Sequence, residues 1–76
     1  MTPAQCRAAR ALIGLEQGAL AEAAKVARST VVDFEREART PRARSVAALR
    51  SALEAAGVEF LDPNGGGAGV RLRRPD

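Results

Sequence analysis

The stretch Gln17–Arg36, QGALAEAAKVARSTVVDFER, restricts what this chain can fold into more than any other. It reads as two short helices separated by a turn. Leu20, Ala23 and Ala24 are expected on the inner face of the first, Val31 and Phe34 on that of the second. Lys25-Val26-Ala27 is too short for a loop, and Val26 is its one apolar anchor. Two helices crossing over so tight a connection describe a helix-turn-helix. The second helix begins Arg28-Ser29-Thr30, a basic and hydroxylic tip that no core requires.

The flanking sequence supplies the rest of a small helical domain. Thr2 is a good N-cap and Pro3 suits the first helical position, so a helix is predicted from there to about Ile13. Cys6, Ala9 and Ile13 form its inward stripe, Arg7 is solvated, Gly14 ends it and Leu15 plugs the connection. Glu16 and Gln17 open the next helix, where a negative charge is favourable. The helix after the turn is expected to end between Arg36 and Arg39. Thr40-Pro41 marks a boundary, because the residue before proline is pushed out of helical geometry. A fourth helix is predicted from Arg42 or Arg44 to Ala56, with Val46, Leu49 and Leu53 as its core stripe and Gly57 as its stop.

The tail changes character. Val58-Glu59-Phe60-Leu61 and Gly69-Val70-Arg71-Leu72-Arg73 read as strands around the turn-rich run Asp62–Gly67, and Arg74-Pro75-Asp76 as a frayed end. Phosphate-binding glycine loops lead from a strand into a helix, so a glycine run followed by a strand favours a hairpin. The fold class expected is mainly α, four helices with a C-terminal β-hairpin, divided as 1–57 and 58–76.

Charge and composition narrow the function. With 76 residues there is room for one small domain, in which roughly 60% of the unfolded surface can be buried. From Lys25 to Arg50 seven basic residues face three acidic ones, a local net of +4 that suits a polyanion. The chain has no His, Tyr or Trp and a single Cys, leaving no imidazole base and no soft-ligand metal cluster. No enzyme activity, catalytic residue, metal or cofactor is therefore expected. A lone Cys6 excludes an intrachain disulfide and fits a reducing compartment. No apolar run reaches membrane-spanning length and no leader is visible, so the expectation is a soluble, cytoplasmic protein without a membrane partner.

Double-stranded DNA fits these features best. A recognition helix needs short or forked polar groups on its first turn, where they meet base edges. The expected base contacts are Arg28 to guanine, Ser29 to either base type, Val32 to a thymine methyl, and Asp33, which either accepts from a cytosine amino group or orients a neighbouring arginine. The expected phosphate contacts are Gln17 at a helix start, Thr30, and the arginines Arg36, Arg39, Arg42 and Arg44 around the helix exit.

In these residues the chain resembles the Cro/phage-repressor (xenobiotic-response-element-like) helix-turn-helix regulators, whose domain is of the lambda-repressor-like type. The resemblance runs from Arg10 to Leu53. It rests on Arg10, Gly14-Leu15, Gln17, Leu20-Ala21, Val26, Val31, Phe34-Glu35, Thr40-Pro41-Arg42, Val46 and Leu49. It implies a four- or five-helix domain that binds operator DNA as a dimer, a structural ion pair between Arg10 and Glu35, base reading by Arg28, Ser29 and Val32 beside Asp33, and a phosphate ligand in Gln17. The chain departs from the family pattern at three places. Lys25 and Glu37 stand where glycine is frequent, and Ala27 stands where a capping serine is common.

A two-stranded hairpin is marginal alone, so the tail must pack on the helices or join another chain. Its open edge suits symmetric pairing, and a homodimer through the hairpin is expected, with half-sites about 34 Å apart. The competing function is a protein-interaction module, such as an antitoxin or co-regulator, built on the same scaffold. Asp33 and Glu37 would suit such a partner.

Overall fold

The structure is a computed structural model that describes residues 1–74. Four helices precede a two-stranded hairpin: α1 (Pro3–Ile13), α2 (Gln17–Ala24), α3 (Arg28–Glu35), α4 (Ala43–Ala55), β1 (Val58–Leu61) and β2 (Gly69–Leu72). The expected elements are all present, with ends shifted by a residue or so, and the second strand stops at Leu72. Of the expected frayed end, Arg74 is exposed, and Pro75 and Asp76 lie outside the described residues. Among the described residues, no helix is long and apolar enough to cross a membrane.

α1 starts on a full capping box. The Gln5 N–H donates to Thr2 Oγ1 at 3.0 Å, and the Thr2 N–H donates to Gln5 Oε1 at 2.8 Å. The same glutamine donates through Nε2 to the Gly69 carbonyl at 3.0 Å and, more distantly, to that of Leu61. One side chain thus caps the first helix and closes the far end of the hairpin against it. Gly14 ends α1 at φ 66°, and Ala27 and Arg42 begin α3 and α4 without any side-chain cap.

Lys25 and Glu37 both adopt the left-handed conformation, at φ 58° and 60°. At Glu37 the turn is closed by Glu37 N–H to Phe34 O at 3.0 Å and Ala38 N–H to Asp33 O at 2.9 Å, which satisfies the last carbonyls of α3. A Cβ in this region is strained by about 1–2 kcal/mol. Part of that gain is offset by the greater freedom of unfolded glycine. Glu37→Gly will therefore stabilise the fold by about 1 kcal/mol, read as a higher denaturant midpoint at an unchanged slope.

α1 packs on α3, α4 and both strands, and α2 packs on α3 and α4. The core between them holds Cys6 and Ala9 of α1, Leu20 and Ala21 of α2, Val31 and Phe34 of α3, Leu49 and Leu53 of α4, and Val58 and Phe60 of β1. Ile13, Val46 and Ala24 are half-buried at its margin. The expected inner face of α2 needs one correction: Ala23 is exposed and Ala21 is buried in its place. The inward stripe is Gln17, Leu20, Ala21 and Ala24, at i, i+3, i+4 and i+7. Ala23 lies on the other flank of Leu20, a distinction alanine's weak hydrophobicity does not mark.

The hairpin is antiparallel, with Val58 opposite Leu72, Glu59 opposite Arg71, Phe60 opposite Val70 and Leu61 opposite Gly69. Opposed residues share a face, so Val58, Phe60, Val70 and Leu72 form the side toward the helices. Glu59 and Arg71 are ion-paired on the outside. The Arg50 guanidinium lies 5.1 Å from the Phe60 ring centroid and bonds Glu54 at 3.2 Å, while Arg73 donates to the Glu54 carbonyl at 3.1 Å. These contacts fasten the hairpin to the last turns of α4.

Candidate functional site

The position of α3 is set from beneath by a buried carboxylate. The Glu35 side chain is 3% exposed and faces α1 and α2. Arg10 grips it with two bonds, Nη2 to Oε1 at 2.6 Å and Nε to Oε2 at 2.7 Å. Gln17 Nε2 donates to Oε1 at 2.9 Å and Cys6 Sγ to Oε2 at 3.1 Å. Arg10 also donates to the Leu15 carbonyl at 3.0 Å, and Arg7 donates to the backbone carbonyl of Glu35. A bidentate arginine with two further donors fills most of the carboxylate's acceptor sites. Among the described residues, no buried side-chain polar atom lacks a partner.

Burial works to raise the Glu35 pKa. The hydrogen bonds from Arg10, Gln17 and Cys6, and the charge of Arg10, outweigh it and hold the carboxyl below its ordinary value. The bond to Glu35 raises the Arg10 pKa in turn, against the effect of burial. Cys6 is pushed up to about 12, first by burial and then by its bond to Glu35, so its thiol stays protonated and inert.

Gln17 is therefore not simply a tip residue. It stands at the first position of α2, as expected, but its carboxamide is turned inward onto Glu35. With Glu16 giving no side-chain cap, the first N–H groups of α2 remain the part of this helix end available to an anion.

With Val31, Phe34 and Glu35 buried, the opposite line of α3 is Ser29, Asp33 and Arg36, at i, i+4 and i+7. Arg28 and Val32 form the flank next to this line. Arg28 is exposed and lies along α2; a methyl group placed on Gly18 would sit 3.8 Å from its Cδ. Arg28 shares a shallow cleft with Arg10, Glu16, Gln17 and Gly18. Val32 and Thr30 are half-buried, and Ser29 and Arg36 are exposed.

The other flank of the line is an open groove between α3 and the segment leading into α4. Ser29, Thr30, Asp33, Arg39, Thr40, Pro41, Arg42 and Ser45 line it. Asp33 is partly sheltered there, with its side chain 33% exposed and 4.0 Å from Arg39, whose own side chain is 82% exposed. An ion pair so open contributes little stability. Of the expected residues, the structure thus gathers Ser29, Thr30, Asp33, Arg39 and Arg42 in one groove. Arg36 and Arg44 are exposed outside its lining, and Arg28 and Gln17 belong to the cleft on the α2 side.

Sequence reasoning missed Thr40 and Ser45. Ser45 sits in the first turn of α4 and Thr40 precedes the boundary proline, so each read as a residue of local structure. Their shared proximity to Asp33 follows from how α4 returns past α3, which no local pattern encodes. Neither the models of known protein families nor the curated proteins contain a match to this chain.

Proposed function

We propose that this chain is a sequence-specific DNA-binding transcription regulator of the Cro/phage-repressor helix-turn-helix type, with α3 as its recognition helix. The observation that carries the reading is the outward line of α3. Ser29, Asp33 and Arg36 stand opposite a face locked by Val31, Phe34 and Glu35, with Arg28, Arg39, Arg42 and Arg44 exposed around them. A rigid helix with polar groups outward and cations on its flanks meets the two demands of DNA recognition, base reading and phosphate positioning.

In this reading α3 enters the major groove. Ser29 and Asp33 face base edges, and Arg28 and Val32 serve the α2 side of the same surface. Arg36, Arg39, Arg42 and Arg44 follow the phosphates with Thr30, and Thr40 and Ser45 join them from the groove. The free N–H groups at the start of α2 take a further phosphate, with Gln17 holding that end in place. Symmetric pairing of two chains through the hairpin would bring two such surfaces into one dimer, and sedimentation of the intact chain reads that state.

Enrichment from a random duplex pool, followed by polarisation titrations of the enriched duplex, tests the reading. With about five phosphates engaged, affinity should fall about 500-fold between about 50 and about 200 mM salt. Binding without sequence preference at either salt would contradict it. Among variants, Arg39→Ala should weaken every duplex alike and flatten the salt slope by about 1. Arg28→Ala should relax preference at one base position, by about 1–3 kcal/mol. Equal losses on every duplex for both variants would remove base reading from Arg28.

A further inference from the structure

We propose that Asp33 specifies a cytosine in the DNA site, so that a carboxylate on a basic recognition surface acts as a base selector; this rests on the DNA-binding reading above. Asp33 lies on the outermost line of α3, with Ser29 one turn before it and Arg36 about one turn after. It borders the groove that also holds Thr30, Arg39 and Arg42. Its one ionic partner among the described residues is Arg39, at 4.0 Å and largely in solvent, an open pair that leaves the carboxylate accessible to a base.

A carboxylate on a surface meant for a polyanion opposes binding unless the ligand supplies a donor at that point. Carboxylate oxygens only accept hydrogen bonds. In the major groove, guanine presents N7 and O6, and thymine O4, all acceptors that a carboxylate repels. Adenine's amino donor lies between its own N7 and the paired thymine O4, whereas cytosine's has an acceptor, the paired guanine O6, on one side only. Asp33 is thereby best satisfied by cytosine, less well by adenine, and penalised by guanine and thymine. Arg36, Arg39, Arg42 and Arg44 keep the overall affinity while the carboxylate sets the discrimination at its own base position.

Enriching duplexes from a random pool with the intact protein, Asp33→Asn and Asp33→Ala tests this. Asp33 is partly exposed and outside the core, so both variants should melt as the parent does. The parent should select cytosine at one position, about tenfold over guanine or thymine. Asp33→Asn should move that position to adenine, whose N6 and N7 a carboxamide can bridge. Asp33→Ala should leave the position without preference, other positions being unchanged in all three. Identical base profiles for the three proteins would overturn the proposal. So would a uniform gain of affinity in both variants, since Asp33 would then only repel phosphates. A parent that enriches no sequence would overturn the DNA-binding reading itself, and this inference with it.

Discussion

Replacing Glu35 by alanine will destabilise the domain by about 3–5 kcal/mol, the loss typical of removing one partner from a buried ion pair. A chain of 76 residues is stable by only about 4–11 kcal/mol in total, so the loss takes from about a quarter of that stability to all of it. The size of the effect follows from what is stranded. Arg10 keeps its charge facing the vacated site, Gln17 and Cys6 lose their acceptor, and the contact joining α1, α2 and α3 is gone. Replacing both members, as in Arg10→Met with Glu35→Leu, should recover much of the loss, because no unpaired charge remains. A double variant as unstable as Glu35→Ala would show that the network's shape, not its charge balance, is what matters.

The same carboxylate sets a pH dependence. Its pKa in the folded chain lies below the unfolded value, so its contribution is fully present above the ordinary glutamate pKa of about 4.3. The contribution fades as pH falls through the folded value. Denaturant melts of the parent should therefore lose stability steeply in that acid range, and Glu35→Gln should lose less over the same interval. Parallel curves for the two proteins would show that Glu35 carries no such linkage.

Replacing Phe60 by alanine will cost about 3–5 kcal/mol, the range for removing a buried aromatic ring. Phe60 is the larger of the two β1 residues in the core, and it couples the hairpin to α4 through the stacked Arg50. A domain this small has few other large side chains to compensate. Phe60→Leu, which keeps most of the apolar volume, should lose much less. A loss below about 1 kcal/mol for the alanine variant would mean that the helices hold together without the tail. The hairpin would then be free to act between chains and would not be needed within one.

Much of this architecture was legible in the sequence because local chemistry and core pattern agree. Thr2-Pro3 announced the start of α1, Gly14 its end, and Thr40-Pro41 the break before α4. The apolar spacing of Leu49 and Leu53 marked the α4 face. Alternation in Val58–Leu61 marked the hairpin's inner side. Legibility ended where residues are ambiguous one at a time. Ala23 and Ala21 have the same side chain, and only packing shows which is buried. Gln17 could serve either the tip or the interior of α2; a carboxylate 18 residues away decides it. The bond from Cys6 to Glu35 and the groove joining Ser45 to Asp33 depend on long-range packing that periodicity does not report.

The positive-φ residues were legible through the family pattern, not through their own side chains. Lys25 and Glu37 stand where glycine is frequent, and both adopt the left-handed turn glycine favours. The backbone bonds that close the helix ends hold these residues there, and the strain they carry is modest beside the core contacts of Phe34 and Leu20.

The outward line of α3 is proposed to read DNA. The most direct test is amide chemical-shift mapping of the isotope-labelled chain as it is titrated with a duplex enriched from a random pool. The largest changes are expected at Ser29, Asp33 and Arg36 and along Arg39–Arg42, with the glycine-rich loop of the hairpin unaffected. Changes centred on the hairpin or on the outer face of α1, with α3 undisturbed, would contradict it.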